Sequence, residues 1–210
     1  MRSALAHALE GLRYVRRNRV LLGAISLDLF AVLLGGAMAL LPAIAEKRLG
    51  VGAVGLGWLA AAVGIGASAV MVTLSVRPLQ RRVGPSLMAA VATFGVGTIA
   101  LALTRSYIVA FVALLVLGGA DAVSIFVRGM IVPLATPEEM RGRVMAVEYV
   151  FIGGSNELGA FESGVAGALL GVAGAVVFGG VGTLAVVAIW LLWFPELRSI
   201  DRFAEVQPDT

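Results

Sequence analysis

Cysteine is absent from the 210-residue chain, which excludes a disulfide framework, a thiolate metal site and a cysteine nucleophile. Histidine occurs once, at His7, ahead of the first apolar run, so no imidazole is at hand inside the apolar segments for acid–base work or for a transition metal. No metal and no cofactor is expected. Serine chemistry needs an activating base, and Ser155 and Ser163 have no lysine beside them, which argues against an enzyme. A GxxxxGK[ST] phosphate loop is also missing, so an ion gradient is a better energy source for this chain than ATP. Aromatic residues are only 7% of the chain, and its basic residues fall in short separated stretches without forming one stripe. That arrangement excludes a nucleic-acid partner.

Charged residues of all kinds make up 14% of the chain, whereas 60% of residues are apolar and the mean hydropathy is +0.98. Such a balance suits side chains whose solvent is a lipid bilayer. Apolar runs long enough to cross a hydrocarbon core of about 30 Å fall at 20–45, 54–76, 86–103, 107–132, 144–170 and 175–194. The expected architecture is an all-α integral membrane protein with six transmembrane helices over residues 20–194. The boundary between the last two runs is weak, because 171–174 is glycine-rich and apolar with no polar loop.

Residues 1–19 place Leu5, Leu9 and Leu12 on one helical face, followed by Arg13, Arg16, Arg17 and Arg19. This segment reads either as an interfacial amphipathic helix or as a basic flank that sets orientation. Arginines there, at Arg77, Arg81 and Arg82, at Arg141 and Arg143 and in the tail 195–210 fall on one side of the membrane, against Lys47, Arg48 and Arg105 on the other. Both termini are therefore expected in the cytoplasm.

Ionisable residues inside apolar runs are costly and normally face a protein interior or a wet cavity. Asp28 lies in the first run, Asp121 and Arg128 in the fourth, and Glu148, Glu157 and Glu162 in the fifth. Arg128 and Glu148 lie at similar depths and are expected to form a structural ion pair, with snorkelling to the interface as the alternative for Arg128. Glu157 stands beside Ser155 and Asn156 past the middle of its run. Glu157, Asp121 and Asp28 are candidates for proton coupling, with Asn156 and Glu162 as further candidates along a solute pathway. Structural roles compete in each case: pairing with an arginine of another helix for Asp28, hydrogen bonding between helices for Glu157, and a solvated interfacial position for Glu162.

The stretches GGADAVSIFVRG and PEEMRGRVMAVEYVFIGGSNELGAFESG resemble the tenth and eleventh helices of major facilitator superfamily transporters, in the branch that includes bacterial siderophore exporters. EGLRYVRRNRVLL is similar to the entry into that family's seventh helix. The turn Arg141, Gly142, Arg143 and Val144 carries much of the resemblance. Before Ser86 the family's loop motif has an acidic residue, an arginine, any residue and a glycine; here Arg81, Arg82, Val83 and Gly84 stand in those places. The resemblance implies the C-terminal six-helix half of a transporter, built as a 3+3 inverted repeat in the bacterial inner membrane. It further implies a proton-coupled exporter or antiporter of a small organic solute, completed by a second six-helix half or by a homodimer partner. The alternative is a truncated or scaffold membrane protein without transport activity of its own.

Overall fold

The computed structural model describes residues 4–208; Arg2, Ser3 and Thr210, and the Leu5 side chain counted above, lie outside what is described. Helix α1 (Ala4–Arg17) meets α2 (Arg19–Leu34) across Asn18, an extended residue whose side-chain oxygen accepts a 2.9 Å bond from the Leu21 amide. The chain then leaves helical geometry at Gly35 and Gly36, makes a 3-10 turn over Ala37–Leu40 and resumes as α3 (Leu41–Lys47). Helices α4 (Ala53–Val76), α5 (Val83–Leu103), α6 (Tyr107–Leu134) and α7 (Glu138–Trp193) follow, then the short α8 (Pro195–Ser199) and a 3-10 turn at Phe203–Glu205. The described residues contain no strand.

Among the described residues, five segments are long and apolar enough to cross a membrane: Arg19–Lys47, Ala53–Val76, Val83–Leu103, Tyr107–Leu134 and Glu138–Trp193. The last has 56 residues, a length of roughly 84 Å as a straight helix and nearly three hydrocarbon thicknesses. It is broken at Gly171, where φ is 73° and ψ 163°, a region open essentially to glycine alone. The sequence expectation of separate runs at 144–170 and 175–194 thus meets two helical arms joined at the non-helical Gly171, inside the weak boundary noted above. Gly171→Ala is expected to cost about 1–3 kcal/mol through backbone strain, read as a lower unfolding midpoint in detergent; an unchanged midpoint would show that the bend is relieved without cost.

Helices that are apolar all round pack wherever backbones can approach. Between α4 and α6 a Cβ on Gly66 would collide with the Leu115 carbonyl, and one on Gly118 with the Val63 carbonyl. This reciprocal contact seats α4, which buries little else of itself. One apolar cluster, including Leu21, Leu27, Leu87, Val127, Trp190 and Leu197, joins α2, α5, α6, α7 and α8. A second, including Ile44, Leu59, Leu101 and Leu114, joins α3, α4, α5 and α6.

The Arg141–Gly142–Arg143 motif, expected in a cytoplasmic loop, lies in the first turns of α7, and this corrects the loop assignment. Pro137 occupies the cap position and Glu138 and Glu139 the first turn, where negative charge is favoured by the exposed amides; helix therefore begins earlier than hydropathy suggests. Arg82 is the left-handed residue (φ 56°) that precedes α5 and provides no side-chain cap. The tail caps this end instead. The Arg82 amide donates to the Asp201 carboxylate at 3.0 Å, and the Val83 and Gly84 amides donate to the Asp201 and Ile200 carbonyls at 3.2 and 3.0 Å. Gly84 lies directly under the Leu197 carbonyl, and Phe203 meets Phe126 of α6 edge-on at 6.3 Å.

Candidate functional site

Seven residues separate Asp121 and Arg128 on α6, so their side chains leave the helix within about 20° of each other and about 10 Å apart along it. Both turn toward α2 and the first part of α7. Arg128 is only 4% exposed. Its Nη2 lies 2.8 Å from Asp28 Oδ1 and its Nη1 3.4 Å from Glu148 Oε1, while Nε donates to the Ser124 hydroxyl at 3.4 Å. One guanidinium thus ties three helices together: α6 carries it, α2 supplies Asp28 and α7 supplies Glu148. The planar fork of arginine suits this task, since its donors reach two carboxylates and a hydroxyl at once.

Asp28, Arg128 and Glu148 line a cavity of about 340 Å³ together with Asp121, Asn156 and Pro133. A second cavity of about 330 Å³ is bordered by Gly35, Gly36, Phe94 and Leu117, and again by Asp121 and Asn156. Asp121 and Asn156 therefore stand where the two spaces adjoin. Asp121 has no ion pair or hydrogen bond among the described residues. The Asn156 amide donates to the Ile152 carbonyl of its own helix at 2.8 Å.

Two breaks in helical backbone open on these spaces. Pro133 lacks the amide that would bond the Gly129 carbonyl, and both residues line the first cavity. Gly35 and Gly36 interrupt α2 beside the second. Irregular backbone at membrane depth is tolerated where it borders a cavity or is buried in protein. Hydropathy ran through Gly35 and Gly36 without a break, the paired glycines being the available signal, whereas the fourth run ended at 132, just ahead of Pro133. Ser124 had no signal beyond its place one helical turn before Arg128.

The remaining candidates lie apart from this group. Glu157 is exposed and borders neither cavity, because it follows Asn156 by about 100° around the helix. Glu162 is half-buried and accepts from the Ser163 hydroxyl at 3.4 Å. Arg143 pairs with Glu10 at 2.8 Å, Arg141 and Gly142 are exposed, and Arg82 and Gly84 belong to the capped end of α5.

The family profile described as transmembrane secretion effector, of the major facilitator superfamily, matches residues 2–208. The chain belongs to this family. Neither a curated protein nor a solved structure matches it. As a major facilitator chain it is a multi-pass membrane protein of a transporter family, and the charged groups on α2, α6 and α7 line the first of the two cavities.

Proposed function

We propose that the chain is a six-helix half of a proton-coupled exporter of a small organic solute, with its pathway along the groove between α2, α6 and α7. The observation that carries this reading is a charge imbalance: Asp28, Asp121 and Glu148 line the same cavity as a single cation, Arg128. Surplus carboxylates among apolar helices are costly unless a proton or a cationic group of the solute joins them. A site that exchanges one for the other couples solute movement to proton movement. In this reading Asp121 is the exchanging carboxylate, Asp28 and Glu148 hold Arg128 in place, and Asn156 contacts the solute.

The two arms of α7 on either side of Gly171 cross the bilayer separately, which gives six crossings and a 3+3 repeat. A second six-helix half or a second copy covers the groove. It meets the outward sides of α4, where Trp58, Ile65 and Val72 are exposed, and of α7, where Glu157 lies, with Glu162 nearer the outer end. The membrane is the bacterial inner membrane, and both termini lie in the cytoplasm.

Two experiments test this. For orientation, single cysteines at Ser3 and Thr210 in this cysteine-free chain are expected to resist an impermeant thiol reagent in intact cells; ready labelling of either overturns the assignment. For transport, the purified chain of established oligomeric state is sealed in liposomes with a trapped pH indicator and offered a panel of small organic solutes. Solute-dependent proton movement is expected from an assembly and absent from a monomer. Robust coupled flux from a demonstrated monomer would remove the need for a second half.

A further inference from the structure

Helix α1 has two unlike sides. Gly11 and Val15 are buried, Gly11 lying against the Arg143 carbonyl. Tyr14 donates its hydroxyl to the Ala135 carbonyl at 3.2 Å, and Glu10 pairs with Arg143 at 2.8 Å. This side is fastened to the end of α6 and the start of α7. At about 100° per residue, Leu9, Leu12, Arg13, Arg16 and Arg17 share the opposite side within an arc of about 140°.

Those five side chains line a concavity of about 340 Å³. Leu9 is 56% exposed, the three arginines are exposed, and none of the three has an ion-pair partner among the described residues. Nearby arginines are matched: Arg19 meets Glu196 at 2.8 Å, and Arg143 meets Glu10. The unmatched cations at positions 13, 16 and 17 sit three and four residues apart, so they converge on one patch.

We propose that this patch binds the phosphate headgroup of an anionic phospholipid in the leaflet next to the termini, with Leu9 and Leu12 against its acyl chains. The charge is complementary, and the mixture of chemistries selects the source of the anion. A free phosphate would satisfy the arginines and leave Leu9 and the uncovered part of Leu12 in water, whereas a lipid at the headgroup boundary satisfies both. The site rests on the cytoplasmic placement of the termini proposed above, since that leaflet carries the negative surface potential of a cell membrane. Through Gly11 and the Glu10–Arg143 pair, the bound lipid anchors the start of α7 only five residues ahead of Glu148.

The test is lipid binding to the purified full chain in a zwitterionic detergent, with phosphatidylglycerol and phosphatidylcholine offered together and bound lipid counted by native mass spectrometry. Wild type is expected to prefer phosphatidylglycerol. Joint Arg13→Gln, Arg16→Gln and Arg17→Gln substitution is expected to weaken phosphatidylglycerol binding on the order of 100-fold at low ionic strength, and joint replacement by lysine to retain most of it. The glutamine variant should keep the wild-type unfolding midpoint without lipid, because the three side chains are exposed. Equal preference in wild type and glutamine variant would overturn the proposal, as would complete displacement of phosphatidylglycerol by inorganic phosphate. Both ends of the protein are accessible in a micelle, so failure here is distinct from failure of the orientation, which the labelling experiment reads alone.

Discussion

Arg128→Met is expected to lower stability by about 3–5 kcal/mol, the usual consequence of leaving buried charge without its partner. The size follows from position: the side chains of Arg128, Asp28 and Glu148 are 5%, 8% and 14% exposed, so little water is available to replace the guanidinium. The physical cause is the stranded pair of carboxylates more than the lost contacts. Neutralising them should therefore restore much of the loss, and Arg128→Met combined with Asp28→Asn and Glu148→Gln is expected to be more stable than Arg128→Met alone. Unfolding in graded denaturing detergent measures wild type, Arg128→Met, the Asp28→Asn and Glu148→Gln pair, and the triple variant, and the departure from additivity gives the coupling. If Arg128→Met shifted stability by less than about 1 kcal/mol, in the range of an exposed pair, the guanidinium would not be the tie between α2, α6 and α7.

Asp121→Asn is expected to abolish solute-dependent proton movement while leaving the fold intact. Asp121 has no bonded partner to lose, which separates it from Asp28 and Glu148, and it borders both cavities. Asparagine keeps its shape and polarity and removes the carboxylate charge together with its capacity to exchange a proton. Glu157→Gln provides the contrast, because Glu157 borders neither cavity: coupling should survive there, and any loss should track a weaker association of halves. The trapped pH indicator reports coupling and cross-linking reports association. Coupling that persisted in Asp121→Asn and vanished in an intact Glu157→Gln assembly would transfer the proton path to the outward face of α7.

Depth and facing differ in how openly a sequence displays them. The depth of Arg128 and Glu148 in their runs is arithmetic on residue number, and the structure places the two 3.4 Å apart. Facing is harder in helices apolar on every side, since no polar stripe marks which way is in. For that reason the sequence leaves Asp28, the nearer partner of Arg128 at 2.8 Å, open between proton coupling and pairing with an arginine of another helix, and puts Glu157 level with Asp121 as a coupling candidate. The long apolar helices were visible from hydropathy because lipid demands continuous apolar sequence. Backbone breaks that keep the apolar character, at Gly35–Gly36 and Gly171, were not, because hydropathy is blind to φ and ψ. Most of the family resemblance fell on α6 and α7, with a further stretch leading into α2, and the cluster is built from these three helices.

The capped start of α5 imposes an order of events on biosynthesis. The Arg82 amide is satisfied by Asp201, a residue 119 positions later in the chain. At about 5–20 residues per second, translation reaches it on the order of 10 s after Arg82 has been made. Helix α5 thus enters the bilayer with its first amides open to headgroups and water, and its end closes only after α7 and α8 have been delivered and folded back. A chain stopped shortly before Ile200 would therefore hold every long helix described above and still lack the contacts that close the start of α5.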